Sequence, residues 1–363
     1  MLSKGQARPP ILPTVHILMA TCQGEAYIEQ QLKSIEAQSY PHWQLYVSDD
    51  GSKDKTLERV RAFKARWDQD HVAQAMPSSI SSSEVGESKM DSTCRVHIVE
   101  GPGRGSTENF MSLVRWVSQS GCVNAHDLVA FADQDDVWLE QKLQRAVNWH
   151  LQVRSHQEAH ANTNGAQPLI NDSRPMLYAG KSFLVDADLQ KIGLSKSPKG
   201  PLDFNTALVE NVLSGNTMVM NKALLDKLKC MGIAHSVWHD WSAFLVATGC
   251  NGVLHYDEEP LVLYRQHEKN VIGVKTGWLD QWVRAVVVFK GRYKTWTQMN
   301  LDGLKDIEAD LSPSAYQLKT VYENLRLEER FWLRLMNMRH LRVRRQNKFL
   351  QLALYLGLLL GMI

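Results

Sequence analysis

Three carboxylates fall within four residues at Asp133-Gln134-Asp135-Asp136. Acids this close repel and raise one another's pKa unless something positive joins them. A divalent cation answers that need. Mg²⁺ or Mn²⁺ takes hard oxygen ligands, commonly one or two carboxylates plus the oxygens of a bound phosphate. The plainer alternative is a solvated acidic turn with Asp135 or Asp136 capping a helix. Other polar stretches accompany the cluster: Ser48-Asp49-Asp50-Gly51-Ser52, Trp238-His239-Asp240-Trp241 and Leu263-Tyr264-Arg265-Gln266-His267.

The elements around these residues determine where they sit. Leu128 to Ala132 is a short apolar run that reads as a buried strand, and it stops abruptly at the acids. Trp138-Leu139-Glu140 and Lys142-Leu143 then open a helical pattern. The acids are therefore expected on a turn at the C-terminal end of a strand, where open α/β sheets bind ligands. Val15 to Ala20 is a second such run, followed by a Thr21 to Glu25 loop and helically spaced Tyr27, Ile28, Leu32 and Ile35. Gln44 to Ser48 is a third, with Asp54 placed to cap a helix through about Phe63. Val96 to Val99 is a fourth, with Ser106 or Thr107 placed to cap a helix through Trp116. Four strand–helix units in succession predict a parallel sheet covered by helices. Further strands are expected at Met176 to Val185, Thr217 to Met220 with Gly215 just before it, Gly252 to Tyr256, and from Pro260. An apolar helix is expected at Ala243 to Thr248. Two polar stretches, His71 to Thr93 and Arg154 to Arg174, read as surface loops.

A chain of 363 residues, 44% hydrophobic and 22% charged, is an ordinary globular one with room for one large or two small domains. Its net charge of +2 gives no electrostatic footprint for nucleic acid. Five scattered cysteines without a C-x-x-C pair argue against a zinc site or a disulfide framework, and fit free thiols in a reducing cytosol. Met1 to Pro13 lacks the apolar core of a signal peptide. From about Gly277 helical periodicity takes over. Arg330 to Lys348 carries seven Lys or Arg and no acid, and Phe349 to Ile363 is almost wholly apolar. As a helix that last segment would be roughly 22 Å long at 1.5 Å per residue, short of the ~30 Å hydrocarbon core of a bilayer. A basic segment beside an apolar one suits docking on an anionic cytoplasmic membrane surface. The alternative is a helix packed on the rest of the chain or on a second subunit.

In their order and placement these stretches resemble glycosyltransferase family 2, and most closely its bacterial rhamnosyltransferase-like branch. The likeness runs from about Val15 to Gly273. It rests on Thr21-Cys22-Gln23-Gly24-Glu25 for T-x-N-G-E, with Gln23 in place of the usual Asn. It rests further on Ser48 to Ser52 for S-D-D-G-S, Asp133 to Trp138 for D-Q-D-D-x-W, His239 to Trp241 for H-D-W, and Leu263 to Asn270 for L-Y-R-Q-H-x-x-N. Five weak motifs in the right order, each at a strand end or helix start, make a strong signal.

The resemblance implies an α/β GT-A fold: a Rossmann-like nucleotide-diphospho-sugar transferase with a mostly parallel central sheet, flanking helices and a C-terminal helical region. It implies an N-terminal tail at 1–14 and a catalytic domain at 15–276, whose nucleotide-binding half is 15–136 and acceptor half 137–276. The basic and apolar remainder, 277–363, would associate with membrane. The implied activity is an inverting, metal-dependent transfer from a nucleotide-diphosphate sugar, with dTDP-rhamnose suggested by the branch and UDP- or GDP-sugars open. The implied acceptor is a growing bacterial glycan, lipid-linked at the inner face of the cell membrane. Thr21, Glu25, Asp50 and Asn109 would hold the nucleotide, since a carboxylate at Asp50 suits base N–H and ribose hydroxyls. Asp133 would face the ribose and join Asp135 and His267 on Mg²⁺ or Mn²⁺, and Arg265 would close over the diphosphate. Asp240 would be the general base, because inversion by direct displacement needs one carboxylate on the acceptor side. Two rival readings are a non-catalytic sugar- or nucleotide-binding scaffold on the same fold and a nucleotidyltransferase. The latter leaves His239-Asp240-Trp241 without a task.

Overall fold

The structure is a computed structural model that describes residues 12–75, 94–163, 174–232, 235–267 and 291–363. Most of the stretch at 71–93, Asn270 of the last motif, and the expected boundary at 276 and 277 lie outside the described residues. Four apolar runs form parallel strands in the order β3-β2-β1-β4: β1 is Val15–Thr21, β2 Trp43–Asp49, β3 Val96–Glu100 and β4 Leu128–Asp133. Helix α1 (Ile28–Glu36) follows β1, α2 (Thr56–Ala75) follows β2 and α3 (Ser106–Gln119) follows β3. Beyond β4 the sheet turns mixed, and nine described strands make it up in all. β8 (Val219–Asn221) pairs antiparallel with both β4 and β6 (Met176–Val185). β9 (Val253–Arg265) then runs parallel to β6, and β7 (Lys191–Leu194) pairs with the outer end of β6.

Strand alternation divides the core into two layers. Val15, Ile17 and Met19 of β1 point to one face, where Ile28, Leu32 and Ile35 of α1 and Leu143 and Val147 of α4 (Lys142–Thr163) cover them. Leu18 and Ala20 point to the other, beneath Phe110 and Val114 of α3 and the apolar helix α7 (His239–Gly249). A one-residue slip would exchange the two sets, so the register that aligns the strand ends is held by both layers.

Three expectations need correction. Trp138 does not open a helix: Val137 and Trp138 form a short strand, β5, paired to Leu263 and Val262 of β9, and α4 begins at Lys142. α2 runs on to Ala75, and α4 covers half of the second presumed loop, so both helices are longer than the pattern suggested. The segments at Gly252 and Pro260 are one strand. A register shift of β9 against Gly180 and Ser182 accommodates Pro260, which has no N–H to give the ladder.

The C-terminal helices Arg292–Asp306, Pro313–Leu327, Phe331–Met338 and Lys348–Leu359 follow as expected, with no strand among the described residues there. Their inner faces are core. Leu301, Leu304, Tyr322, Leu354 and Leu358 belong to the same buried cluster as Phe244 and Val246 of α7. The apolar tail thus packs on the catalytic fold along one side, as its alternative reading held. No helix of the described residues is long and apolar enough to cross a membrane.

Candidate active site

Strand order reverses at the pair β1–β4, and the ends of the strands form the crevice expected at such a switch point. The register sets Ala20 opposite Asp133 and Thr21 opposite Asp49, so the polar residues that end β1, β2 and β4 lie side by side on one edge. β9 returns across this edge and brings Arg265 and His267 to the acids. The Arg265 N–H donates to Asp136 Oδ1 at 3.2 Å, its Nε donates to the Asp135 carbonyl at 2.8 Å, and His267 Nε2 lies 2.8 Å from Asp135 Oδ2. Arg265 also reaches Gln30 Oε1 at 2.5 Å and the Ala187 carbonyl. Tyr27 from the first loop places its ring 4.3 Å from the Arg265 guanidinium and stacks on His267.

Asp136 is fully buried and accepts from Asn216 Nδ2 at 2.5 Å. Burial and the neighbouring Asp133 and Asp135 push its carboxyl far above the ordinary range, which suits a brace rather than an open ligand. Burial, then Asp135 and Asp240, raise the Asp133 carboxyl to about 7. Tyr264 stands among the same four carboxylates, and its hydroxyl is raised by burial and then by their charges. This electrostatic arrangement favours a cation. Among the described residues no three His, Cys, Asp or Glu side chains converge as a ready-made cage. Asp133 and Asp135 are nonetheless the hard donors that Mg²⁺ or Mn²⁺ uses when phosphate and water complete its shell.

Asp240 lies in the first turn of α7, whose N-cap is Trp238 and not Asp240 itself. Its Oδ1 accepts the Trp241 N–H at 2.7 Å and its Oδ2 the Gly215 N–H at 3.3 Å. Burial raises the carboxyl to about 6 despite these donors. His239 is packed face to face on Phe110 with centroids 3.9 Å apart, and burial drives its pKa down to about 3. It is therefore a neutral wall beside Asp240. Trp241 is core, its Nε1 donating to the Ala207 carbonyl at 2.7 Å, and Trp238 stacks on it and lies tilted against Trp296.

Gly215 has no room for a side chain. A Cβ there would lie 2.6 Å from His239 Nε2 and 3.1 Å from the Asp240 Cβ. Gly215→Ala is expected to displace the start of α7 and lower kcat by at least about tenfold, since small misplacements near reacting groups are costly. Circular dichroism of the variant should match the parent. Unchanged kcat would show that Asp240 tolerates movement.

The residues expected to hold the nucleotide divide into two kinds. Thr21 and Asn109 point inward. Thr21 is buried and donates to Asp49 Oδ1 at 2.9 Å, and Asn109 is buried with both amide ends on Ser48, at 2.5 and 2.9 Å. In this structure they lock β1 and α3 to β2. Asp50 and Glu25 remain on the rim. Asp50 accepts the Gly103 and Gly105 N–H groups, each at 2.6 Å, across a turn whose φ of 69° and 93° at these positions favours glycine. A carboxylate has about four acceptor sites, so Asp50 can tie down this loop and still accept from a ligand. Glu25 precedes α1 and accepts the Lys55 N–H at 2.9 Å, pinning its loop to the start of α2. α3 itself is capped by Gly105, not by Ser106 or Thr107.

Several members of the site were not singled out from sequence. Gln134 clasps Cys22 with both amide atoms, at 2.9 Å each, and joins the first loop to the acidic turn. Gln30, Tyr27 and Asn216 bind charged residues far along the chain. Only Asn216, beside the noted Gly215, carried a local signal. All five cysteines are free.

Carboxylates thus gather at the switch point of the sheet, with a helix-borne acid close to them. Residues 13–252 match the family described as glycosyltransferase like family 2, and the chain belongs to that family. It is a glycosyltransferase, built on the mixed α/β sheet with flanking helices described above. Its relatives include the dTDP-rhamnosyl transferase RfbG of Shigella flexneri, 25% identical over 324 residues, which cover 86% of this chain and 93% of that enzyme. Among solved structures, Staphylococcus aureus TarS 1-349 in complex with UDP-GlcNAc is similar at TM-score 0.46 and 14% identity, over 81% of this chain and 72% of that one. The mannosyltransferase PcManGT of Pyrobaculum calidifontis, in complex with GDP-Man and Mn²⁺, is similar at TM-score 0.41 and 16% identity, over 97% of this chain and 86% of that one.

Proposed function

We propose that this glycosyltransferase moves a sugar, with rhamnose the first candidate, from a dTDP- or UDP-sugar to a lipid-linked glycan, with inversion and with a divalent metal. The observation that carries this reading is the carboxylate cluster at the edge where the strand order reverses, in which Asp135 and Asp240 act on Asp133, and Asp133 and Asp135 act on Asp136. The relationship to a dTDP-rhamnosyl transferase supports rhamnose. Asp133 and Asp135, with His267 beside them, would hold Mg²⁺ or Mn²⁺. That metal would neutralise charge on the leaving nucleoside diphosphate. Asp50 and Glu25 would border the nucleotide, and Arg265 would close over the diphosphate. Asp240 would take the proton from the acceptor hydroxyl as that oxygen attacks the anomeric carbon from the face opposite the leaving group. Neutral His239 and the packed tryptophans exclude water from it, and its raised pKa keeps it basic enough to act near neutrality. The catalytic unit would span 15–276 and work at the cytoplasmic face of the membrane, where a lipid-linked acceptor is presented.

Purified protein, acceptor extract and Mn²⁺ or Mg²⁺ should be tested against a panel of dTDP-, UDP- and GDP-sugars. One nucleoside diphosphate should be released in an acceptor-dependent manner, with dTDP expected from dTDP-rhamnose. Sugar 1-phosphate as the released product, with the nucleoside monophosphate left on the acceptor, would instead identify nucleotidyl transfer.

A further inference from the structure

The exposed apolar side chains of the described residues are concentrated in one region. Of fourteen exposed large hydrophobic residues, ten lie between Leu327 and Met362. They are carried mainly by two helices that pack on each other, Phe331–Met338 and Lys348–Leu359. Trp332 is 72% exposed and Met336 54%, and they sit one turn apart. Leu352, Leu356 and Leu360 repeat at four-residue intervals with exposures of 57%, 44% and 59%. Because Leu350, Leu354 and Leu358 face the core, the second helix is apolar on two sides, and only one of them is covered among the described residues. Single exposed apolar residues are ordinary, but contiguous stripes mark an interaction surface.

Charge frames the same surface. A cavity of about 390 Å³ opens where the second helix begins, and Lys199, Arg344, Arg345 and Lys348 line it. Asp203 pairs with Arg344, and Glu210 pairs with Arg345 at 3.4 Å. Lys199 and Lys348 have no ion pair among the described residues, so the cavity keeps an excess of positive charge. Lys348 lies one turn before Leu352, which places the basic mouth and the apolar stripe on adjoining parts of one helix.

We propose that this face rests on an anionic membrane, with both helices lying in the plane of the surface, their apolar stripes in the headgroup region and a lipid phosphate in the basic cavity. The inference rests on the reading of a lipid-linked acceptor and names the surface that meets the lipid. Twelve helical residues reach only roughly 18 Å at 1.5 Å per residue, which excludes spanning and leaves an in-plane position. A tryptophan at the most exposed position and basic residues around an apolar face are the composition of such interfacial helices. Charge complementarity favours an anionic bilayer over a second copy of this chain, because a like-charged rim would face itself across a two-fold contact.

The test is sedimentation of the full chain with phosphatidylglycerol-containing vesicles and with phosphatidylcholine vesicles alone, in the absence of nucleotide and acceptor. The wild type should pellet with the anionic vesicles only, and less so as salt rises. The variant Trp332→Glu/Leu356→Glu should lose at least about tenfold in partitioning. Lys199→Glu/Lys348→Glu should bind less tightly with a weaker salt dependence, and light scattering should show the same mass for both variants as for wild type. Inorganic phosphate at vesicle-equivalent concentration should not compete, as it would if a free anion were the ligand. Wild type that stays in the supernatant, or variants that pellet equally, would overturn the proposal. A variant that instead changes from oligomer to monomer would make the face a self-interface. Nucleoside diphosphate release, measured separately on these variants with a soluble acceptor, should be unchanged. Failure of the docking claim and failure of the transferase reading are thereby separable.

Discussion

Asp240→Asn is expected to lower kcat at least about 100-fold while leaving the dissociation constant of the donor within about threefold of wild type. The substitution keeps the shape of the side chain and an acceptor for the Trp241 N–H, and removes the basicity. The donor should be held elsewhere, at the acids that end β4 and at Arg265. A pH profile supplies the second signature. Burial raises the Asp240 carboxyl to about 6, and a general base acts in its ionised form. At saturating metal, the wild-type kcat/KM should therefore hold above pH 6 and fall about tenfold per unit below it, and this limb should vanish in the variant. The same shift has a cost in stability. The folded pKa lies above the unfolded value of 3.8, so the contribution of Asp240 is most favourable below that value and is lost as pH rises through about 6. If Asp240→Asn weakened donor binding and spared kcat, Asp240 would be a nucleotide contact instead.

The largest effect should come from Asp135. Its carboxylate is the one acid of the cluster that a second ligand candidate, His267, already touches, at 2.8 Å. Asp135→Ala is expected to reduce transfer by at least about 1,000-fold, because metal and diphosphate would lose a shared oxygen ligand. Excess EDTA should abolish wild-type transfer to the same degree, and Mn²⁺ or Mg²⁺ should restore it. The fold should survive, since Asp136 and not Asp135 is the fully buried brace, tied to Asn216 and the Arg265 N–H. Full transfer in chelator would move the enzyme to a mechanism without metal.

The parts of this arrangement that local chemistry encodes were readable from the chain. An apolar run that ends in acids marks a strand end, and Leu128 to Asp133, Val15 to Thr21 and Met176 to Val185 all form strands at or within a residue of the expected limits. What eluded sequence reasoning depends on contacts distant in the chain. Trp138 reads as helical by spacing, yet pairing with β9 more than a hundred residues later makes it a strand. Thr21 and Asn109 carry the right chemistry at the right places, but pleat and helix rotation aim both at β2. Gln134 and Tyr27 act only because the fold brings them against Cys22 and against Arg265 and His267. The apolar tail could not be assigned to core or surface by composition, and the helix Lys348–Leu359 has both kinds of face.

The central claim, that metal and nucleoside diphosphate meet at the β4 acids, is tested most directly by calorimetric titration of dTDP, UDP and GDP into the purified protein. Each titration is run with Mn²⁺ and with EDTA, on wild type and Asp135→Ala. One diphosphate should bind at a single site in Mn²⁺, with at least about a hundredfold loss of affinity in EDTA and a similar loss in Asp135→Ala. Equal affinity with and without metal, or binding unchanged by Asp135→Ala, would contradict the account.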